Sequence, residues 1–311
     1  MREIAATGQG VGAVAAAVAH SRAMTKTAPS DNAPAVIEFR GFARPIVARI
    51  DAALVAELPF LISEWPWRRL RSARRWHVRM TAAGAGYVVT ERRGGAVMEA
   101  FHPTAPQAMG AFLGALIAAA LGQTGDTVSL HAGAASFPRG AVVVIGPSMA
   151  GKSSVALHMA ANGGRLLGDD SVAIAEGRAL SFGLAPKLRL PLPADAGRLF
   201  SGFAKARIRR AQSGIAHLRL RRGEGARFGQ GAPLRGIVIL KRVAEGKPRL
   251  RPADRPAAMR ALITHAFAPQ LGAAALVARL AALTGRTPAY TLEFSRSREA
   301  ARALRRLVEN G

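Results

Sequence analysis

The chain has no cysteine, which removes disulfides, thiolate zinc sites and thiol nucleophiles from consideration. Acids are scarce as well: 19 Asp and Glu stand against 44 Lys and Arg, a formal charge of +25 whose field attracts acidic partners or polyphosphates. Much of that excess is Arg scattered through an Ala-rich and Gly-rich chain, so charge alone names no partner. Aromatics make up only 5% of residues. No apolar run reaches the ~18 residues of a membrane span. The longest candidate, Ala108 to Leu121, is broken by Gly110 and Gly114 and reads as a buried helix. Half of the 311 residues are apolar, enough to bury the core of one large domain or two modest ones.

At the start, Arg2 precedes an Ala/Val/Gly stretch that loosely mimics a signal peptide, but the basic region is thin and glycines dilute the apolar part. Residues 1–34 are expected to be a flexible leader and linker. Short β-like runs at Ala35 to Phe39, Pro45 to Ile50, Trp76 to Met80 and Tyr87 to Thr90 predict a β-rich region over 35–106. From 107 to 311 the pattern changes. A helix-like Gln107 to Leu121 is followed by strands at Ser129 to Ser136 and Ala141 to Ile145, a helix from Lys152 to about Asn162, and a strand at Arg165 to Leu167. Further strands are expected at Ser171 to Ala175, Gly236 to Leu240 and Ala289 to Phe294. Helices are expected at Pro256 to Phe267, Leu271 to Leu283 and Arg296 to Val308. Asp195 to Gln230 is basic and glycine-punctuated without a clean period, and reads as a mobile lobe.

The segment Gly146-Pro147-Ser148-Met149-Ala150-Gly151-Lys152-Ser153 fits G-x-x-x-x-G-K-[ST] directly after an apolar strand and before a helix. In such a loop backbone N–H groups turn inward around phosphate oxygens, and the helix aims its positive end at them. Lys152 would neutralise the β and γ phosphates, the Ser153 hydroxyl would hold Mg²⁺, and Ser154 extends the polar helix start. A chance match in a chain with 33 glycines is the competing reading, and the flanking strand and helix argue against it. The expected ligands are ATP and Mg²⁺, and the expected location is the cytoplasm, where ATP is.

Asp169-Asp170 stand out in an acid-poor chain at the end of the next expected strand, where open α/β sheets meet their ligands. One carboxylate there can take a hydroxyl proton and the other can hold the metal, whereas a turn or helix cap would use Asp equally well. His131 lies near the start of the strand before the loop strand, where an imidazole could stabilise phosphate charge or orient an Asp, although a lone His is more often structural.

Leu130-His131-Ala132, then Gly146 to Ser154, then Arg165-Leu166-Leu167-Gly168-Asp169-Asp170 resemble, in order and spacing, the catalytic core of HPr kinase/phosphorylase. The resemblance implies an α/β, P-loop-containing, phosphoenolpyruvate-carboxykinase-like nucleotide fold over 107–311, preceded by the small β-rich region. It also implies phosphate transfer to a hydroxyl. Lys152 would contact the phosphates and Ser153 the Mg²⁺; Asp169 and Asp170 match the family's acidic pair, one of which accepts the proton, and His131 matches its active-site histidine. The wider layout is similar to divergent HPr-kinase-related proteins of bacterial biosynthetic clusters, which leaves the acceptor open.

Trp65-Pro66-Trp67-Arg68-Arg69 with Arg71, Arg74, Arg75 and Trp76 would suit nucleic acid by stacking and phosphate contact. With so few aromatics and no nucleic-acid fold signature, a basic face with inward tryptophans is the preferred reading. Lys205 to Arg222 could grip an acidic protein or peptide, and Lys187 and Arg189 could approach the transferred phosphate; a solvated basic face serves both segments equally well. The leading expectation is a kinase that phosphorylates a Ser or other hydroxyl of a protein, peptide or small molecule, with self-association left open. The alternatives are a nucleotide-dependent binding or regulatory module and a simple NTPase.

Overall fold

The computed structural model describes residues 33–62, 64–212 and 214–310. The leader expected at 1–34 therefore lies, up to residue 32, outside the described residues. The first layer is a six-stranded sheet of β1 (Ala35–Phe39), β2 (Ile46–Ile50), β3 (Trp67–Leu70), β4 (Val78–Ala83), β5 (Gly86–Arg93) and β6 (Ala96–His102), in the order β3-β1-β2-β4-β5-β6. A one-turn helix α1 (Leu58–Leu61) and then α2 (Ala105–Leu121) accompany it. α2 begins two residues before the expected Gln107 because the Thr104 side chain accepts from the Gln107 N–H and Pro106 fits the first turn. Its Ala108, Phe112, Leu113 and Leu116 pack on Ile37, Ile46, Ala48 and Met80, so the helix that sequence grouped with the following unit shares its core with the first sheet.

The second layer is built from β7 (Val128–Leu130), β8 (Gly133–Phe137), β9 (Gly140–Ile145), α3 (Lys152–Ala161), β10 (Arg165–Gly168), β11 (Val172–Ala175) and β12 (Arg178–Ser181). Next come β13 (Lys187–Arg189), α4 (Arg198–Lys205), β14 (Ile208–Gln212), β15 (Ile215–Leu218), β16 (Gly231–Arg242) and β17 (Arg249–Pro252). The chain then runs through α5 (Arg255–His265), β18 (Ala266–Phe267), α6 (Ala273–Arg286), β19 (Ala289–Phe294) and α7 (Ser297–Asn310). Ten of these strands form one sheet along β10-β8-β9-β16-β12-β11-β7-β18, with β19 beside β16 and β17 beside β19. β9, β16 and β19 are mutually parallel at its centre.

Burial on both faces explains the unbroken apolar run of β9. Val142 and Val144 face α3 and α7, through Val155, Ala156, Ala301 and Leu304. Val143 and Ile145 face α5 and α6, through Leu262 and Leu280. Each such fully buried side chain stabilises the fold by about 1.5–3 kcal/mol relative to exposure. The strand expected as a single Ser129 to Ser136 run is broken at His131-Ala132: β7 pairs with β11 and β18, whereas β8 pairs with β9 and β10. The His131 N–H donates to the His265 carbonyl at 2.8 Å, one step beyond the β7–β18 pairs. The stretch expected to be an irregular lobe contains α4 and two strands of a three-stranded sheet, β13-β15-β14. Phe200, Phe203 and Ala204 of α4 join the core under α3.

The same architecture buries Trp65 and Trp76. Trp65 Nε1 donates to the Phe182 carbonyl at 2.5 Å, and the guanidinium groups of Arg79 and Arg92 lie over the Trp76 ring. No helix among the described residues is long and apolar enough to cross a membrane.

Candidate functional site

The central parallel strands end at one edge of the sheet, and the connection between β9 and α3 sits over that edge. Two backbone conformations make its turn. Gly151, the residue before α3, has φ +95°, and Met149 at the exposed tip has φ +68°, in the left-handed region that non-glycine residues seldom occupy. Gly151 carries no side-chain cap, so the first-turn N–H groups of α3 are left for another acceptor. With the helix dipole behind them, those groups form a ready anion-binding position. Phe294 at the end of β19 and Arg242 at the end of β16 close in on Gly151: a Cβ there would lie 3.5 Å from the Phe294 ring and 3.6 Å from the guanidinium.

Lys152, the first residue of α3, is only 7% exposed. Its Nζ donates to the carbonyls of Gly146 at 2.8 Å and Pro147 at 3.2 Å, so the ammonium is folded back onto the loop. Burial lowers its pKa, and the nearby Asp170 carboxylate opposes that shift. Ser153 Oγ donates to the Asp169 carbonyl at 3.0 Å, tying the helix start to the segment after β10.

That tie follows from topology. β10 is antiparallel to β8, and β8 to β9, so β10 runs in the direction of β9 and delivers Asp169 and Asp170 to the same edge. Gly133, at the start of β8, lets this corner close: a Cβ would lie 2.8 Å from the Lys152 carbonyl and 3.0 Å from Ala156. His131 precedes it by two residues and so reaches the same place.

The two aspartates differ sharply in environment. Asp169 is 6% exposed, and Oδ2 accepts from the Lys187 N–H at 3.0 Å. Burial pushes its carboxyl up to about 7, with the Lys187 amide working against the shift and the neighbouring Asp170 adding to it. Asp170 is half-exposed, with Oδ1 3.1 Å from His131 Nδ1. The hydrogen bond to His131 holds its carboxyl below the ordinary range, aided by Lys187 and Lys152. One carboxyl is thus poised to change protonation near neutrality while its neighbour stays ionised.

A cleft of about 420 Å³ joins these groups, and Ser148, Met149, Gly151, Lys152, Ser153 and Ser154 line it together with His131, Asp169 and Asp170. Of the loop residues singled out from sequence, Gly146, Pro147 and Ala150 are not on its wall: Gly146 and Ala150 are buried, and Pro147 supports Lys152 from behind. Lys187 and Arg189 do line it. No motif or spacing pointed to His158, Arg242 or Arg298, which also line the cleft. Arg242 was reachable from topology alone, because it ends the strand parallel to β9. His158 stacks on Phe200 with centroids 3.8 Å apart, and burial lowers its pKa to about 4, so it sits neutral in the cleft wall.

No family model matches the chain, and no curated protein matches it. Among solved structures it is similar to the Hpr(Ser) kinase/phosphatase from Coxiella burnetii, at 14% identity and a TM-score of 0.29, over 58% of this chain and 94% of that one. A superposition that loose fixes no chemistry, so the chemistry of the cleft has to come from its own side chains.

Taken on those side chains, the cleft offers uncapped helix N–H groups and a buried ammonium for an oxyanion. Beside them it offers one carboxyl able to exchange a proton near neutrality and one fixed anionic carboxylate with a serine hydroxyl for a cation.

Proposed function

We propose that the chain is an ATP-dependent phosphotransferase that moves the γ-phosphoryl group onto a hydroxyl. The observation that carries this reading is the placement of Lys152, buried at an uncapped helix start and folded onto its own loop, in one cleft with Asp169 and Asp170. In this reading the loop from Gly146 to Ser154 cradles the phosphates, and Lys152 swings from the loop carbonyls to the β and γ oxygens.

Mg²⁺ takes oxygen ligands, and with nucleotides it uses one or two carboxylates plus substrate phosphates. Ser153 Oγ and the Asp170 carboxylate fit that donor set. Among the described residues no cluster of three or more His, Asp or Glu side chains would hold a metal without the phosphates. When bound, the ion would offset negative charge on the phosphate oxygens. His131 keeps Asp170 ionised and oriented. Asp169, fixed by the Lys187 amide, takes the proton from the acceptor hydroxyl as its oxygen bonds to the γ phosphorus. The bond from that phosphorus to the bridging oxygen breaks, and ADP leaves.

The test is transfer from γ-labelled ATP with Mg²⁺ into a lysate of the source organism, with the intact chain, Lys152→Ala and Asp169→Asn in parallel. Label in an acceptor with the intact chain alone is the expected result. ATP binding with neither transfer nor phosphate release would sink the phosphotransfer reading and leave a nucleotide-sensing module. Acceptor-independent release lost in Asp169→Asn would make water the acceptor.

A further inference from the structure

The acceptor side of the cleft has features that phosphate binding does not use. β13 lies at the end of the β13-β15-β14 sheet. The Leu190 N–H donates to the Gly214 carbonyl, and the Leu218 N–H to the Pro186 carbonyl, so the even-numbered residues of this stretch face β15. By the alternation of an antiparallel ladder, the main-chain groups of Lys187 and Arg189 point the other way. The Lys187 N–H is taken by Asp169 Oδ2. The Lys187 carbonyl and both main-chain groups of Arg189 remain on the open edge, and Lys187, Leu188 and Arg189 all line the cleft.

A second cavity, of about 340 Å³, continues from the first: Lys187 and Ile215 line both. One wall is apolar, from Leu61, Met109 and Leu113 beside the first sheet, and the other is formed by Arg210 and His217 of the hairpin. Glu57 is the acid lining this groove, and it is paired with Arg210. That leaves Lys187 without a carboxylate on the groove side, while Arg189 is exposed on the wall of the first cleft and makes no ion pair there with the described residues.

Resting on the phosphotransfer reading, we propose that the acceptor hydroxyl belongs to a peptide segment lying extended along the open edge of β13. It is held by Arg189 through an acidic side chain and places an apolar side chain in the groove between α2 and the β14–β15 hairpin. Strand addition of this kind takes affinity from main-chain hydrogen bonds and selectivity from side-chain pockets. The tie between Asp169 and Lys187 sets the register. The hydroxyl-bearing residue lies beside Lys187, and Arg189 is two residues on, roughly 7 Å along a strand. The preferred acid is therefore two residues from the hydroxyl. A small polyol would use neither the edge nor the apolar wall.

The test uses the full chain and labelled peptides of about eight residues, long enough to span the edge and the groove. One carries Ser with Glu two residues away and a Leu beyond; its counterparts replace Glu by Lys or Leu by Ala. Binding is read by fluorescence anisotropy without nucleotide, and transfer is read separately with γ-labelled ATP. The Glu/Leu peptide is expected to bind at least about tenfold tighter than the Lys peptide, a difference of about 1.4 kcal/mol. Arg189→Glu should reverse that preference. Gly110→Leu fills the groove from a position where a Cβ meets nothing within 4 Å, and should weaken the Glu/Leu peptide at least about tenfold. Gly114→Leu, on the same helix but outside the groove, should leave peptide binding unchanged, and melting curves of both variants report whether they fold.

Binding indifferent to the charge swap and to Gly110→Leu overturns the proposal. Transfer to free serine or other small hydroxyl compounds but to none of the peptides also overturns it, with the phosphotransfer reading intact. Peptide binding with no transfer to any acceptor overturns the phosphotransfer reading and with it the assignment of the peptide as acceptor.

Discussion

Replacing Asp169 by Asn should stabilise the protein at alkaline pH while abolishing transfer. In the fold, burial raises this carboxyl from 3.8 to about 7. A folded-state pKa above the unfolded one means the native state binds the extra proton between those values, so stability falls as pH rises from about 4 to about 7 and stays low above that. At 1.36 kcal/mol per pKa unit, a difference of about 3 units destabilises the wild type by about 4 kcal/mol at pH 8. Asn keeps the oxygen that accepts from Lys187 and carries no charge, so most of that penalty disappears. Urea unfolding in EDTA without nucleotide should show the two proteins nearly equal at pH 4 and Asp169→Asn ahead by roughly 2–4 kcal/mol at pH 8. Asp170→Asn should show no such gain, because the His131 bond holds that carboxyl on the ionised side. A difference between Asp169→Asn and wild type that is the same at both pH values, or a variant weaker than wild type at pH 8, would mean that burial does not raise the Asp169 carboxyl.

Lys152→Met removes the ammonium but keeps an unbranched side chain. It should weaken Mg·ATP by about 100-fold, since charge-assisted bonds contribute about 1.5–3 kcal/mol each, and calorimetric titration checks this. Gly151→Val forces a β-branched residue to φ +95°, so a loss of at least about 1–2 kcal/mol and failure of the ATP-induced rise in Tm are expected in thermal melts. His131→Asn removes the largest influence holding the Asp170 carboxyl down; carboxyl NMR should find its pKa raised, and no movement would show that the contact is not made in solution.

Local chemistry made much of the central sheet legible. The run Ala141 to Ile145 is continuously apolar because both its faces are covered, and β19 and α7 lie close to where periodicity puts them. The strand break at His131 was not legible, since Ser129 to Ser136 is apolar and alternating enough to read through. What breaks it is the change of partners, from β11 and β18 up to His131 to β9 and β10 beyond it, and the close approach at Gly133. β6 escaped detection because it is an edge strand with Val97, Met98 and Phe101 exposed and no buried face to impose alternation. The stretch from Asp195 to Gln230 hid α4 because two turns with Gly202 in the middle are too short for a period. At the site, motif spacing brought Lys152, Ser153, Asp169, Asp170 and His131 into view together. Arg242 and Arg298 were lost among the many other arginines, because only the assembled fold distinguishes a cationic side chain at the end of β16 or the start of α7 that faces the cleft from one on the surface.

The most direct test of the account is a crystal structure with Mg²⁺ and a non-hydrolysable ATP analogue. The β and γ phosphates are predicted on the first-turn N–H groups of α3, with Lys152 Nζ moved from the Gly146 carbonyl onto them and Asp169 and Asp170 facing the γ phosphorus. An analogue bound elsewhere, or a Lys152 that stays on its loop with the phosphates out of reach, would contradict it.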